Sequence, residues 1–107
     1  MRWLKNLREH LTPRRRLVIH ADDSLPGTLP RRDLVVAREA AEDWAAGMQC
    51  PCGCGDALEM MLVPEARPRW HLTIDGKQRP SLYPSVWRDT GCRSHFWLQQ
   101  GRVRWCD

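Results

Sequence analysis

The chain has 107 residues, of which 42% are hydrophobic and 28% are charged, so it is too short for a second sizeable core. No apolar run reaches the roughly 20 residues that a membrane-spanning helix needs, and charges interrupt the apolar N-terminal stretch, which argues against a signal peptide. These features predict a cytoplasmic protein without a transmembrane segment. In the reducing cytoplasm, five cysteines point to metal or redox chemistry before they point to disulfides.

The net charge of +4 is concentrated at the N-terminus. Residues 1–16 contain six basic residues and one acidic residue, whereas residues 17–107 are close to neutral. We therefore predict a basic amphipathic N-terminal extension over residues 1–16 and a single metal-binding β domain over residues 17–107.

The extension carries apolar residues at helical spacing, which predicts a short helix over residues 2–11 that is stopped by Pro13. Its apolar face either packs on its own domain or docks onto a partner or an anionic surface. The apolar residues are Trp3, Leu4, Leu7 and Leu11.

Short apolar runs after the extension predict strands at residues 17–19 and 34–36. Residues 38–46 are rich in alanine and glutamate, which favours a helix that ends at Gly47.

The second half of the chain reads as strands and tight turns. Residues 57–63 predict one strand, and residues 70–75 alternate between apolar and polar side chains as a second. Residues 96–105 predict a hairpin that turns at Gln100 and Gly101. The predicted fold class is mostly β, with one or two short helices and with metal-binding loops like those of Rieske proteins or zinc ribbons.

The cysteines lie in two turn-like runs, CPCGCG at residues 50–55 and GCRSHFW at residues 91–97. Structural zinc sites commonly bring together two closely spaced ligand pairs on tight loops. The preferred ligand set is Cys52, Cys54, Cys92 and His95, with Cys50 next in line, and the spacing does not decide which thiol of the first run is spare. Zinc is the favoured metal. Cys106 is predicted to pack against its neighbours.

No pattern of serine and acidic residues indicates catalysis. Ser94 lies between Cys92 and His95, where its hydroxyl is expected to bond a backbone group or a sulfur. Four protein ligands would also leave no open position on an ion, which favours a structural site over a catalytic one. A non-enzymatic role is therefore preferred, and Trp87 beside Arg88 offers a peptide or base contact.

The runs CPCGCG at residues 50–55 and PSVWRDTGCRSHFW at residues 84–97 resemble a family of small bacterial metal-binding proteins. Members are often encoded beside bacterial ubiquitin-like proteins and their activating and conjugating enzymes. The resemblance covers residues 25–106 and carries over the metal positions Cys50, Cys52, Cys54, Cys92 and His95. The basic extension and the alanine-rich residues 39–46 depart from the family pattern.

The resemblance implies a zinc-binding accessory or adaptor protein, or a ligase-like one, in a ubiquitin-like conjugation or antiphage defence system. Its expected partner is a ubiquitin-like protein or the enzyme that activates or conjugates it. One alternative is a Rieske-like redox protein with a 2Fe-2S cluster on the same residues. A second alternative is a zinc module that binds nucleic acid through the N-terminal arginines.

Overall fold

The computed structural model describes residues 2–106, which form one helix and eight strands. The helix is α1 (Arg2–His10). The strands are β1 (Leu17–His20), β2 (Leu34–Glu39), β3 (Glu42–Gln49), β4 (Ala57–Met61), β5 (His71–Ile74), β6 (Pro80–Trp87), β7 (His95–Gln99) and β8 (Arg102–Trp105). The prediction of a mostly β protein is confirmed.

The strands form two four-stranded sheets, each built from a continuous half of the chain. The first sheet has the order β1-β2-β3-β4, and the second has the order β5-β6-β7-β8. Only β1 and β2 pair in parallel, and all other neighbours are antiparallel. Each antiparallel pair follows directly along the chain, so the second sheet is a simple meander.

One hydrophobic core lies between the two sheets. Alternate residues of each strand point into it, as the period of a β-strand requires. The first sheet contributes Leu34, Val36, Ala46, Met48, Leu58 and Met60, and the second contributes Leu82, Val86, Phe96, Leu98, Val103 and Trp105. Cys50 is also part of this core, so the start of the cysteine run is tied to the packing of both sheets.

The helix predicted over residues 38–46 is wrong, because these residues form the β2–β3 hairpin. Ala40 and Ala41 make its turn with positive φ values of 54° and 61°, which residues other than glycine and asparagine seldom adopt. Alanine and glutamate favour helices by intrinsic propensity, but this propensity is weak beside the burial of Ala45 and Ala46 in the sheet.

Strand β6 was not predicted, because Pro80 and Pro84 lie within it. Proline removes a donor from the ladder and usually argues against an inner strand. Here the pairing with β7 shifts register between Leu82 and Val86, and Pro84 falls in this irregular stretch. The predicted strands at 17–19, 34–36, 57–63 and 70–75 and the predicted hairpin at 96–105 are confirmed, with ends that differ by no more than three residues.

The predicted N-terminal helix is confirmed, and it packs with its polar side against the edge of β8. Asn6 Oδ1 accepts a hydrogen bond from the Trp105 N–H, and Glu9 Oε2 accepts one from the Val103 N–H, both at 2.9 Å. These side chains occupy donors that an edge strand would otherwise expose. The apolar side of α1 faces away from the domain, with Trp3 and Leu7 exposed.

Within residues 2–106, no helix is long and apolar enough to cross a membrane. The boundary predicted at residue 16 stays a prediction.

Candidate functional site

Four thiols converge at one end of the sandwich. The Sγ atoms of Cys50, Cys52, Cys54 and Cys92 all lie within 4.8 Å of one another. Cys50 is buried at the end of β3, and its Sγ lies 3.4 Å from that of Cys52 and 3.5 Å from that of Cys92. The structure therefore brings together all three cysteines of the first run with the single cysteine of the second.

The loop at residues 50–55 turns tightly enough to direct its cysteines to one point. Gly53 and Gly55 both have φ of +90°, a conformation that side chains with a Cβ strongly disfavour. The Gly53 N–H donates to the Cys50 carbonyl, and the Cys50 N–H donates to the Asp56 carbonyl, which closes the loop at its base. A CPCGCG run folds in this way because glycine supplies a reversal after the second and the third cysteine.

Arg88 places a positive charge beside the thiols. Its Nη1 donates to Cys92 Sγ at 3.1 Å and to Cys54 Sγ at 3.5 Å, while its Nη2 pairs with an Asp56 carboxylate oxygen at 2.9 Å. The hydrogen bond to Asp56 raises the pKa of Arg88 above its ordinary value. Arg88 therefore stays charged and stabilises thiolates in the cluster.

The thiols differ in acidity. The hydrogen bond from the Ser94 hydroxyl lowers the pKa of Cys92 to about 6, whereas desolvation together with the hydrogen bond between Cys52 and Cys50 raises the pKa of Cys52 to about 12. In the metal-free protein, negative charge therefore concentrates on Cys92. As predicted, Ser94 bonds a sulfur, with its Oγ 3.1 Å from Cys92 Sγ.

His95, the remaining residue of the predicted ligand set, lies in a different contact. Its Nε2 is 3.0 Å from Ser85 Oγ, and its ring stacks on Trp87 with centroids 4.8 Å apart and planes 12° apart. The sequence predicts His95 as a metal ligand together with the cysteines. In the structure, its side chain contacts Ser85 across the β6–β7 ladder. Ser85 had not been singled out from the sequence.

The irregular stretch of β6 presents Ser85 to His95. Between the pairs Leu82↔Leu98 and Val86↔Phe96, three residues of β6 lie opposite Trp97 alone, so this stretch of β6 bulges. The indole N–H of Trp70 donates to the Ser85 carbonyl at 3.4 Å and ties the bulge to the adjoining segment.

The thiol cluster and the Ser85–His95 pair are joined by the loop at residues 88–94. This loop begins after Trp87 and ends at His95, and it carries both Arg88 and Cys92. The Arg88 N–H donates to the Ser94 carbonyl at 2.8 Å across its neck. The position of Cys92 in the cluster therefore restrains this loop. Trp87 and His95, whose rings stack on each other, flank the loop at its two ends.

This pair has the geometry of a nucleophile and its general base. A serine hydroxyl within hydrogen-bond reach of an imidazole nitrogen can transfer its proton as it attacks a carbonyl carbon. Within residues 2–106, no carboxylate forms a hydrogen bond or an ion pair with the His95 ring. The ring instead contacts the Ser85 hydroxyl and the indole of Trp87.

A family model described as "Bacterial ubiquitination-like system serine protease (BubE)" matches residues 21–106. The chain belongs to this family. Among curated proteins and solved structures, none matches the chain. BubE membership confirms the predicted association with bacterial ubiquitin-like systems and is consistent with protein partners.

The remaining candidates from the sequence lie outside the thiol cluster. The N–H of Cys106 donates to the His95 carbonyl at 3.0 Å, and its side chain is half-buried. Of the N-terminal arginines proposed for nucleic acid, Arg15 is buried against Glu9, and Arg14 donates to the Gln100 carbonyl. These two guanidinium groups are therefore engaged within the protein.

Proposed function

We propose that this BubE-family chain is a serine hydrolase that cleaves peptide or isopeptide bonds in proteins of a bacterial ubiquitination-like system. The observation that carries the proposal is the 3.0 Å contact between Ser85 Oγ and His95 Nε2 on the exposed side of the second sheet. The family description supports it, since it names a serine protease of such a system.

The proposed reaction follows from this contact. Ser85 Oγ attacks the scissile carbonyl carbon, and its proton passes to His95 Nε2. When the C–N bond breaks, His95 gives that proton to the departing amine nitrogen, which leaves an acyl ester on Ser85. A water molecule then attacks the ester carbon, His95 takes a proton from the water, and the same proton returns to Ser85 Oγ as the carboxylic acid product leaves.

We further propose that Cys50, Cys52, Cys54 and Cys92 hold one zinc ion. Four thiolates at Zn–S distances near 2.3 Å around a tetrahedron have sulfurs about 3.8 Å apart. The observed Sγ separations of 3.4 and 3.5 Å, with none above 4.8 Å, fit such a site after small adjustments. A bound ion would supply structural cross-linking here, because four protein ligands leave no open position for a substrate.

Covalent labelling tests the proposed nucleophile directly. A fluorophosphonate probe should label the wild-type protein at Ser85, and Ser85→Ala and His95→Ala should each abolish labelling. Ser24→Ala is the matched control, because this serine is exposed in the loop between β1 and β2. Absence of labelling in folded wild-type protein would overturn the hydrolase proposal.

Cleavage tests the proposed substrate. The ubiquitin-like protein of the same system, extended at its C-terminus or conjugated to a lysine, should be cut by wild type and not by Ser85→Ala. Binding of that protein without any cleavage would instead favour the adaptor role inferred from the sequence. Elemental analysis separates the metals, since about one zinc per chain supports the proposed site and two irons would support a 2Fe-2S protein.

A further inference from the structure

The exposed face of the second sheet carries an aromatic groove that continues from the Ser85–His95 pair. Tyr83 precedes Ser85 by two residues, and Trp97 follows His95 by two residues, so both rings lie beside the pair on the same face. We propose that this groove binds an extended peptide in which an apolar side chain is followed or preceded closely by an acidic one. This inference rests on the proposed function in one respect, which is that the bound peptide lies next to the proposed nucleophile, Ser85.

The two rings form a ready contact surface for an apolar side chain. The ring centroids of Tyr83 and Trp97 are 5.8 Å apart with planes tilted by 40°, and the Tyr83 side chain is 65% exposed. They line a shallow groove of about 470 Å³ together with Thr73, Ser81, Leu82, Leu98, Gln99 and Gln100. Exposed tyrosine and tryptophan side chains offer large contact areas at a low cost in conformational entropy.

A positive charge on this face favours an acidic side chain in the peptide. Arg104 lies directly opposite Trp97 in the β7–β8 register, and its guanidinium makes no hydrogen bond or ion pair within residues 2–106. Arg102, opposite Gln99, instead donates to the Glu9 and Thr12 carbonyls. Arg104 is therefore available to a carboxylate on a bound peptide.

None of the outward residues of strands β5 to β8 is acidic. The outward residues of the four strands are aromatic, basic or uncharged, and His71 lies opposite Tyr83. A carboxylate placed beside Trp97 would therefore meet attraction from Arg104. Glu9, which lines the same edge cavity as Arg104, is already paired with Arg15. A lysine at the same place would be repelled by Arg104.

Aromatic rings beside an arginine also suit single-stranded nucleic acid, but the surroundings favour a peptide. Within residues 2–106, only Arg104 among the arginines on this face is without an internal partner, whereas a strand of nucleic acid needs several phosphate contacts. The adjoining Ser85–His95 pair is, in addition, suited to attack an acyl carbon.

Peptide binding to the Ser85→Ala protein tests the groove without any need for turnover. Fluorescein-labelled hexapeptides with the pair Leu-Asp in a glycine and serine background should bind more tightly than peptides with Leu-Lys or Gly-Asp, as measured by anisotropy. Trp97→Ala should weaken the Leu-Asp peptide about tenfold, which corresponds to about 1.4 kcal/mol. Trp97→Phe should recover most of that affinity.

A charge reversal provides the sharpest test. Arg104→Glu should invert the preference so that Leu-Lys binds more tightly than Leu-Asp, whereas Lys77→Glu, the same reversal in the exposed β5–β6 turn, should leave the preference unchanged. Equal binding of the two peptides to wild type, an unchanged preference in Arg104→Glu, or tighter binding of a ten-nucleotide oligothymidylate would overturn the proposal.

The two proposals fail separately. Loss of fluorophosphonate labelling with preserved Leu-Asp preference would remove the hydrolase mechanism and leave the groove. Intact labelling with no peptide preference would remove the groove and leave the hydrolase.

Discussion

The indole of Trp87 is 70% exposed, yet it covers one side of the His95 ring at a centroid distance of 4.8 Å. A general base needs a fixed ring orientation, which an acidic side chain usually provides in serine hydrolases. Within the described residues, two contacts restrict rotation of the imidazole: the hydrogen bond with Ser85 and the stack on Trp87. Trp87 is therefore a positioning residue for His95.

We expect Trp87→Ala to slow fluorophosphonate labelling of Ser85 about tenfold, since part of the 10²–10⁴-fold contribution of a general base depends on its orientation. Trp87→Phe should restore most of the rate because it keeps a ring to stack. The melting temperature should stay close to that of wild type in both variants, since the side chain is exposed. A parallel loss of rate and stability in both variants would indicate a structural role instead.

Glu9 provides a second prediction for a single residue. Its carboxylate pairs with the buried Arg15 and accepts from the Val103 N–H. Glu9→Ala would leave Arg15 buried without its partner, and removal of one member of a buried ion pair costs about 3 kcal/mol or more. Urea unfolding should show this loss, whereas Glu59→Ala, an exposed acidic residue on β4, should change the free energy of unfolding by less than about 0.5 kcal/mol.

At the scale of elements, the β5–β6 turn depends on one carboxylate. Asp75 accepts hydrogen bonds from the N–H groups of Lys77 and Arg79 and pairs with Arg79 Nε at 2.5 Å. The hydrogen bond from the Arg79 N–H is the main cause that lowers the pKa of Asp75 below its ordinary value of 3.8. The turn therefore holds β6 in register with β5 through an ionised side chain.

A lowered pKa in the folded state means that Asp75 stabilises the protein above the unfolded-state pKa and that this contribution is lost as the pH falls through the folded-state pKa. We expect Asp75→Asn to lower the melting temperature at pH 7 and to have a smaller effect at a pH below the folded-state pKa of Asp75. Calorimetry at both pH values checks this, with Glu65→Gln as the control because Glu65 is an exposed acid outside this turn. A difference that does not vary with pH would contradict the assignment.

Some elements of the fold can be predicted from the sequence and others cannot. The α1 helix and the β7–β8 hairpin were predictable because their periodicity and turn residues agree with their final environment. The β2–β3 hairpin was not, because Ala40 and Ala41 give no signal of a turn with positive φ. Strand β6 was hidden by its two prolines. Pro80 is the first residue of the strand, where proline is tolerated, and Pro84 falls where the pairing with β7 is irregular.

The candidate site was half predictable for a related reason. Local spacing identifies cysteines, so the CPCGCG run and Cys92 could be found directly from the sequence. The pairing of Ser85 with His95 depends on a register between two strands, one of which was not foreseen. The signal was present in the run PSVWRDTGCRSHFW, which contains a serine and a histidine ten residues apart, but only the bulge in β6 shows that they meet.

For the whole molecule, the thiol cluster is the chemical link between its two halves. Cys50, Cys52 and Cys54 follow the third strand of the first sheet, and Cys92 belongs to the loop inside the second. Because binding of the proposed ion would contribute folding free energy, we expect chelation to lower the melting temperature and to slow Ser85 labelling together.

Substitution separates this effect from general damage by the chelator. Cys92→Ser should release the ion and lose most of the folded stability, as followed by metal content and thermal unfolding. Cys106→Ser, outside the cluster, should keep its ion. A Cys92→Ser protein that melts cooperatively at the wild-type temperature would show that the cluster is not structural.

The division of ligands between the two halves of the chain also sets an order of events during synthesis. With the proposed zinc bound, three ligands within five residues can capture the ion locally as soon as the first half has emerged from the ribosome. The fourth ligand joins only when the second half has been made, and the strand bearing His95 follows it at once. In a newly made chain, the proposed hydrolase activity would thus appear last, after the proposed ion has bound.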